Sequence, residues 1–579
     1  MKVKKQQAKR SGVKTTAAVE THRTAYWPYA LGFAIAAAIV LEVYAPSFDG
    51  PFLFDDLYLP FSVSTFPVNS LRAWTLGVRP FLMMSYWANY QLSGMHTASY
   101  HAFNVVFHAA NSLLLFLITR RVLEFAQVER KQGDLLAAFA GALFLLHPVN
   151  TEAVAYIASR SENFSVLWFF GAFTLFLYRP SSEITWARSA VVLILFAAAV
   201  LSKEHTIMLP ALLLLTDYFW NPPFSLAGAR RNWRLYVPVL AGGLIVGGYS
   251  ARLLKDPNFG FRIKDFTWYQ YFFTQCRAFW LYIRLFIFPV NLTIDYDFPI
   301  SRTILDHGAI LGLIAILVAA AAAFYFRRRY PLAAYGFFLF VILLAPTSSF
   351  VPIKDPVAER RLYLSMIGLL FIVLEFLRRV NLRQTKWIAA LASVLVIAAI
   401  VTHSRSEVFS DPVAFWEDTV AKSPQKARDE FQLAEAYRER GDCAKSLDHY
   451  GRSEQLDPTD DRLYIDWGLA YDCLNQPAQA VAKLQQAAKM KPKAHVYSQI
   501  GMVYGKQGRN TEALEALDKA AQLDPNFDTT YQYRGAVYAN MGNLRAAVDD
   551  FRHAVALNPR NPIASQALAA AEARLQKGQ

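Results

Sequence analysis

Blocks of roughly 17 to 25 apolar residues recur as far as Thr402, each long enough to cross about 30 Å of hydrocarbon as a helix. The 54% share of hydrophobic residues is more than a soluble protein of 579 residues needs. From His403 onward the pattern stops, and the chain becomes mixed, charged and rich in Ala, Gln and Asp. Three segments follow: a basic N-terminus over 1–25, a membrane domain over 26–403, and a non-membrane domain over 404–579. The expected fold class is all-α: a polytopic transmembrane helical domain followed by a second helical unit.

The net charge of +14 does not indicate nucleic acid, because the basic residues sit at the ends of apolar blocks instead of covering one domain. Lys2, Lys4, Lys5, Lys9, Arg10, Lys14 and Arg23 precede the first block, as a cytoplasmic flank does. The apolar run Tyr26 to Ala45 is long for a signal-peptide core and reads as a retained span. Spans are expected near 26–45, 101–119, 134–147, 153–178, 187–201, 206–220, 235–253, 308–326, 331–346, 362–377 and 386–402, about eleven in all. With the N-terminus inside, the connections carrying Arg120–Arg121, Arg130–Lys131, Arg179, Arg188, Arg230–Arg231, Arg234, Arg327 to Arg329, and Arg378, Arg379, Arg383 and Lys386 all fall on the cytoplasmic side. That holds if the aromatic stretch Phe266 to Val290 is interfacial or re-entrant; the alternative is a twelfth span. An odd number of crossings places the C-terminal domain outside, in a periplasm or lumen.

That domain carries prolines at Pro424, Pro458, Pro492, Pro525 and Pro559, spaced by 34, 34, 33 and 34 residues. Tetratricopeptide repeats have this period. A small residue three before a tyrosine recurs in each unit (Ala434/Tyr437, Gly468/Tyr471, Gly501/Tyr504, Gly535/Tyr538), followed by small–bulky–small triplets such as Ala480/Leu484/Ala487. The reading is a leading half-repeat with Trp416, four repeats, and a closing helix from Ile563 to Lys577, an α-solenoid whose groove binds extended polypeptide. Cys443 and Cys473 fall at equivalent turns of adjacent repeats, where they form either a disulfide or two free thiols. No Cys/His spacing indicates a metal, and none is expected.

In the membrane domain four polar groups emerge on the outer side: Asp55-Asp56 with Arg79; His147 and Glu152 with Arg160 and Glu162; Lys203-Glu204-His205; and Glu359-Arg360-Arg361. Singly they could be helix caps or snorkelling side chains. Together, carboxylates with Arg and Lys at a lipid interface are suited to deprotonating a hydroxyl and holding a leaving phosphate.

FDD at 54–56, Arg79-Pro80, YHAFNVVFH at 100–108, HPVNTEAV at 147–154, LSKE at 201–204 and AERRLYL at 358–364 stand in order before the repeats. In this order the chain resembles the transmembrane and tetratricopeptide-repeat (TMTC) proteins, which are similar to O-mannosyltransferases of the GT-C fold. The sequence departs from that pattern at Ser365-Met366, where a proline often follows LYL, and its repeat array is short. The compact array points to a bacterial member, hence an inner membrane with periplasmic repeats, the alternative being an endoplasmic reticulum membrane with lumenal repeats.

The resemblance implies a glycosyltransferase that moves one sugar, mannose or another hexose, with inversion from a polyprenyl- or dolichyl-phosphate donor to a Ser/Thr hydroxyl of a protein held in the repeat groove. It implies Asp55, or less favourably Asp56, as the base. Glu152 would orient hydroxyls, and Arg160 would fix Glu152 or Glu162. Arg79, Lys203, Arg360 and Arg361 would hold the phosphate, with His147, Glu162, Glu204 and Glu359 in support. No cofactor is expected, and the partners are membrane lipids, the lipid-linked sugar and the protein acceptor. The competing reading is a non-catalytic membrane-anchored scaffold for envelope proteins. A transporter fits less well, because short broken span pairs are missing.

Overall fold

The computed structural model describes residues 27–577 except 64, 251–260, 262 and 383. The expected basic N-terminus and Arg383 lie outside the described residues. The described chain is helical, with no β-strand. Its first half contains α1 (Trp27–Tyr44), α2 (Leu71–Thr75), α3 (Pro80–Ser93), α4 (Thr97–Phe125), α5 (Arg130–Leu146), α6 (Thr151–Ala155), α7 (Arg160–Leu177) and α8 (Trp186–Val200). There follow α9 (Leu209–Trp220), α10 (Ala227–Arg231), α11 (Trp233–Ser250), α12 (Trp268–Ile287), α13 (Ala309–Tyr325), α14 (Pro331–Leu344), α15 (Leu362–Leu377) and α16 (Thr385–Glu407).

Among the described residues, four helical segments are long and apolar enough to cross a membrane: Ala30–Asp49, Thr97–Phe125, Asp306–Tyr325 and Thr385–Glu407. The pair Arg130–Leu146 and Pro148–Ala155, bent by 49°, makes a fifth if counted as one span. The expected count of about eleven is therefore not reached by length and composition. Several of the remaining helices are short or carry buried charge: α14 has 14 residues, α15 has 16, and α7 begins with Arg160 and Glu162. Most side chains of α7 and α15 are buried in the protein interior.

The bend comes from Pro148, which lacks an N–H and breaks the α5 ladder. The carbonyls so released each find a side-chain donor: Phe144 O from Asn150 Nδ2 at 2.7 Å, Leu145 O from His108 Nε2 at 3.0 Å, and Leu146 O from Thr402 Oγ1 at 2.7 Å. On α4, Asn104, His108 and Asn111 form one stripe at i, i+4 and i+7 facing this break. Asn104 Nδ2 reaches Val154 O at 3.2 Å, and Asn111 Nδ2 reaches Asn163 O at 2.7 Å. The polar stripe thus satisfies backbone that would otherwise lie bare in the interior.

The basic connections gather at one end of the bundle. Arg121 donates to Leu177 O, Arg378 to Ala126 O and Arg379 to Arg329 O. Arg179 pairs with buried Asp217, and the Arg327 guanidinium lies 5.5 Å from the Phe224 ring. At the opposite end α12 packs on α13 and α14, with Trp280 Nε1 donating to Gly312 O at 3.0 Å and the Phe279 ring 5.1 Å from that of Phe340, and it is tied to the loops of that end. Tyr271 donates to Thr347 O at 2.6 Å, Gln275 to Pro356 O at 2.9 Å, and His147 to Phe286 O at 2.9 Å, while Tyr282 Oη accepts from Ala358 N at 3.3 Å.

The C-terminal half starts with α17 (Pro412–Lys422), capped by Asp411, whose Oδ1 accepts from Ala414 N at 2.9 Å. Four antiparallel pairs follow: α18 (Ala427–Glu439) with α19 (Cys443–Leu456), α20 (Asp461–Cys473) with α21 (Pro477–Met490), α22 (Ala494–Lys506) with α23 (Asn510–Leu523), and α24 (Asp528–Asn540) with α25 (Leu544–Leu557). The closing helix is α26 (Pro562–Gln576). Cys443 and Cys473 form a disulfide with Cα atoms 6.3 Å apart.

This solenoid is docked on the far end of the bundle from the basic connections. Asp295 is paired with both Lys426 and Arg428, Lys422 Nζ donates to Leu292 O at 2.8 Å, and Ser423 Oγ donates to Asp295 O at 2.6 Å.

Candidate functional site

The FDD segment forms a 3-10 turn, Phe54–Tyr58, which puts its two aspartates in different environments. Asp56 is 1% exposed; its Oδ2 accepts from Leu53 N at 3.0 Å and its Oδ1 from Ala158 N at 2.6 Å. Burial raises its pKa well above the usual carboxylate range, against the pull of those two N–H donors. Asp55 is exposed, and only its backbone is held, its N–H donating to Tyr156 Oη at 2.7 Å. Asp56 therefore ties two loops together, while Asp55 keeps a carboxylate open to an incoming group. The doubled aspartate does not act as one two-carboxylate unit.

Arg360 lies within electrostatic range of Asp55, and Arg79 and Lys203 within range of Arg360; each of the three cations is matched with a carboxylate. Arg79 grips Glu204 through Nε and Nη2, both at 2.9 Å. Lys203 pairs with Glu162 and donates to Ser161 Oγ at 3.1 Å, and His205 Nε2 lies 3.5 Å from the same carboxylate. Arg360 holds Glu152 by its guanidinium and by its backbone N–H, the latter at 2.9 Å. Arg79, Lys203 and Arg360 repel one another, and Arg360 is attracted to both Glu162 and Asp55, so the groups form one electrostatic cluster. Glu152 is 1% exposed while Arg360 keeps 27% of its side chain open, so the carboxylate anchors a cation whose outer edge can meet a ligand. Removing one partner of such a buried pair typically costs about 3–5 kcal/mol.

Two non-glycine residues of the site hold left-handed backbone: Phe54 at φ 45° and Arg79 at φ 59°. Such conformations cost of order 1–3 kcal/mol each and persist where the surroundings over-determine them.

Three residues stand differently from their expected roles. Arg160 binds neither Glu152 nor Glu162. Fully buried, it donates to Asn104 Oδ1 at 2.9 Å, Asn89 Oδ1 at 2.7 Å and Tyr100 O at 3.1 Å, with the Tyr86 ring 4.4 Å from its guanidinium. Neutral oxygens and aromatic faces, at hand where α3, α4 and α7 meet, satisfy the charge without a carboxylate. Arg361 spends its donors on Asp355 O at 2.5 Å, Pro356 O at 2.7 Å and Tyr271 Oη at 3.3 Å, which shapes the loop before α15. Asp56 is committed to backbone N–H groups, as above. His147 braces α12, taking Val149 N on Nδ1 at 3.2 Å. Glu359, 1% exposed, accepts from Thr293 N at 2.5 Å and Tyr296 Oη at 2.8 Å, and burial pushes its pKa up to about 8.

Sequence reasoning missed Tyr156, which supports Asp55, and Asn104, which orients Arg160. The i, i+4, i+7 spacing of Asn104, His108 and Asn111 was the signal available for the second. Among the described residues no three His, Cys, Asp or Glu side chains converge as a metal site.

Comparison with known proteins upholds the TMTC resemblance. A family model described as TPR repeat matches residues 501–542, and one described as tetratricopeptide repeat matches 529–561. The chain is 23% identical over 542 residues to the mouse "Protein O-mannosyl-transferase TMTC3", covering 83% of this chain and 57% of that protein. It is 24% identical over 395 residues to the Caenorhabditis elegans "Protein O-mannosyl-transferase F38B6.6", covering 66% and 54%. A 129-residue stretch is 35% identical to the Drosophila melanogaster "Protein O-mannosyl-transferase Tmtc1", covering 22% of this chain and 14% of that one. The chain thus spans a little over half the length of the first two relatives. A solved structure titled "Crystal structure of MamA protein" aligns with 23% identity and a TM-score of 0.23, over 26% of this chain and 81% of that one.

Proposed function

We propose that this chain is a membrane glycosyltransferase of GT-C type with about eleven spans, moving one sugar, mannose by kinship, from a polyprenyl-phosphate donor to a Ser/Thr hydroxyl of a protein. The observation that carries the reading is the pairing of one exposed carboxylate, Asp55, with an electrostatically coupled set of Arg79, Lys203 and Arg360. Asp55 takes the proton of the acceptor hydroxyl as its oxygen bonds to the anomeric carbon. The bond from that carbon to the phosphate oxygen breaks on the opposite face, which inverts the centre. The electron pair leaves with the polyprenyl phosphate, whose charge meets Arg360, Arg79 and Lys203, each already oriented by its own carboxylate.

The orientation proposed puts the basic end in the cytoplasm and the site and repeats outside, with an inner membrane and periplasm as the favoured setting. The clustering of basic connections at one end supports it. So does the Cys443–Cys473 disulfide, which suits an oxidising compartment. The repeat groove, at the same end as Asp55, would hold the protein acceptor.

The test is to incubate purified protein with polyprenyl-phosphate mannose and Ser/Thr peptides and to weigh the products. One added hexose per peptide is expected. A peptide pool left unchanged, with donor intact, overturns the reading.

A further inference from the structure

The solenoid reaches into the site itself. Phe54, directly before Asp55, has its ring edge-to-face with Trp416 of α17 at 5.5 Å, and the Arg428 guanidinium of α18 lies 5.3 Å from the ring centre. The same guanidinium donates through Nε to Asp295 Oδ2 at 2.9 Å and through Nη2 to Asp355 Oδ1 at 3.1 Å. The carbonyl of Asp355 in turn accepts from Arg361, and Arg361 follows Arg360, the cation bound to Glu152. One arginine of the first repeat therefore touches the loop that carries the exposed carboxylate and the loop that carries the cation. Farther along, Tyr58 lies within electrostatic range of Arg462 in α20, and Arg560 bonds to Val63 O. The loop over 54–63 thus lies beneath the solenoid at several points, from its first helices to its last turn.

Phe54 holds φ 45°, a conformation that an L-residue keeps only under external constraint. The Phe54 ring meets Trp416 edge-to-face and has the Arg428 guanidinium 5.3 Å from its centre. We propose that Arg428 is a positioning residue of the transfer centre. Its guanidinium holds Phe54, and so the Asp55 carboxylate, while its Nη2 holds Asp355 and the cationic loop behind it. This rests on the function proposed above and changes the role of the repeats. Besides receiving an acceptor, they complete the geometry of the membrane domain. A misplacement of about 1 Å at a reacting group can cost on the order of 100-fold in rate. The repeats would then matter even for an acceptor too short to use their groove.

The discriminating variant is Arg428→Lys in the full chain, reconstituted in lipid nanodiscs. Lysine keeps a cation beside Asp295, where Lys426 also pairs, but has neither a planar face for Phe54 nor a second N–H edge for Asp355. With polyprenyl-phosphate mannose and a short Ser/Thr peptide, kcat should fall by about tenfold or more while KM for peptide and donor stays within about twofold. An arginine that only fastens two domains by charge would be rescued by lysine, so wild-type kcat in Arg428→Lys overturns the proposal, as does a change confined to KM. Hydrogen exchange gives a reading that needs no turnover. Amides in the Phe54–Tyr58 turn should exchange about tenfold faster in Arg428→Lys, with those of α20 to α25 unchanged. If the turn exchanges as in wild type, Arg428 does not position it, whatever the activity. If wild type transfers no sugar, the proposed function fails by itself and the exchange comparison still decides the positioning role.

Discussion

Adjacent aspartates in one short motif are separated here by solvent and not by sequence. Asp55 faces outward, and Asp56 turns in to receive two backbone N–H groups. Their amide variants should fail differently. Asp55→Asn should lower peptide mannosylation by about 10²–10⁴-fold with the melting temperature unchanged, since an amide cannot take the hydroxyl proton. Asp56→Asn can offer one oxygen to two N–H donors, which leaves a buried donor unsatisfied at about 1–3 kcal/mol. Its first effect should be a lower melting temperature in the same detergent, with any loss of transfer following from that. Equal melting temperatures for the two variants would contradict this division. The motif announced a base but not which aspartate, because the deciding contact, from Ala158 N, comes from about a hundred residues away.

Helices α14 and α15 cross where Gly336 and Gly368 meet. A Cβ on Gly336 would stand 2.4 Å from Gly368 O, and one on Gly368 would stand 2.5 Å from Gly336 O. Both obstacles are backbone, so neither can turn aside as a side chain would, and small residues at such crossings let helices approach closely. Gly336→Ala should therefore force the pair apart and lower stability by about 1–3 kcal/mol, read as a drop in thermal midpoint. The opposite result, an alanine that stabilises by its helix propensity, would show that the crossing has slack. The repeat helices were the most legible elements, because a period near 34 residues states both helices and their packing faces. The membrane elements were legible as apolar blocks, of which four, or five with the bent pair, are long and apolar enough to cross a membrane among the described residues. Hydropathy does not distinguish a helix buried in protein, such as α15, from one largely exposed on the bundle surface, such as α16, and it does not show that α12 packs on α13 and α14. Arg160 was misread for a related reason. Its satisfaction by Asn89, Asn104 and aromatic rings depends on three helices meeting, which no single segment declares.

At the scale of the whole molecule, the two halves are joined at Asp295, whose charge is held by Arg428 and Lys426, and at Asp429, buried beside it with neither oxygen receiving a donor. Burial, and next the negative charge of Asp295, push Asp429 up to about 8, against the pull of Lys426 and Arg428. A carboxyl whose folded pKa exceeds its unfolded one gives stability that is full below the unfolded pKa. Between about pH 4 and 8 the folded state holds the extra proton, so stability falls as pH rises, by up to about 1.4 kcal/mol per pH unit for one group, and levels off above 8. Asp429→Asn, which stays neutral, should remove that slope. The measurement is the difference in unfolding midpoint between wild type and Asp429→Asn from pH 5 to 9; a difference independent of pH would mean that Asp429 does not carry the proton. Much of this join was beyond reach of the sequence, since Asp295, Asp355 and Phe54 belong to three separate loops. None carries a local mark of its partner in the repeats.

The hold of Arg428 on Phe54 also has a consequence in time. A ribosome finishes Phe54 long before it reaches Arg428, and at about 5–20 residues per second the intervening 374 residues take on the order of 20–75 s. During that interval the loop bearing Asp55 lacks two of its supports, Trp416 and Arg428. A nascent chain already threaded into the membrane would stay inactive until its repeats emerged and folded back. Competence would arrive late in synthesis, with the first repeat, and a chain stalled before Arg428 would be inserted but inert.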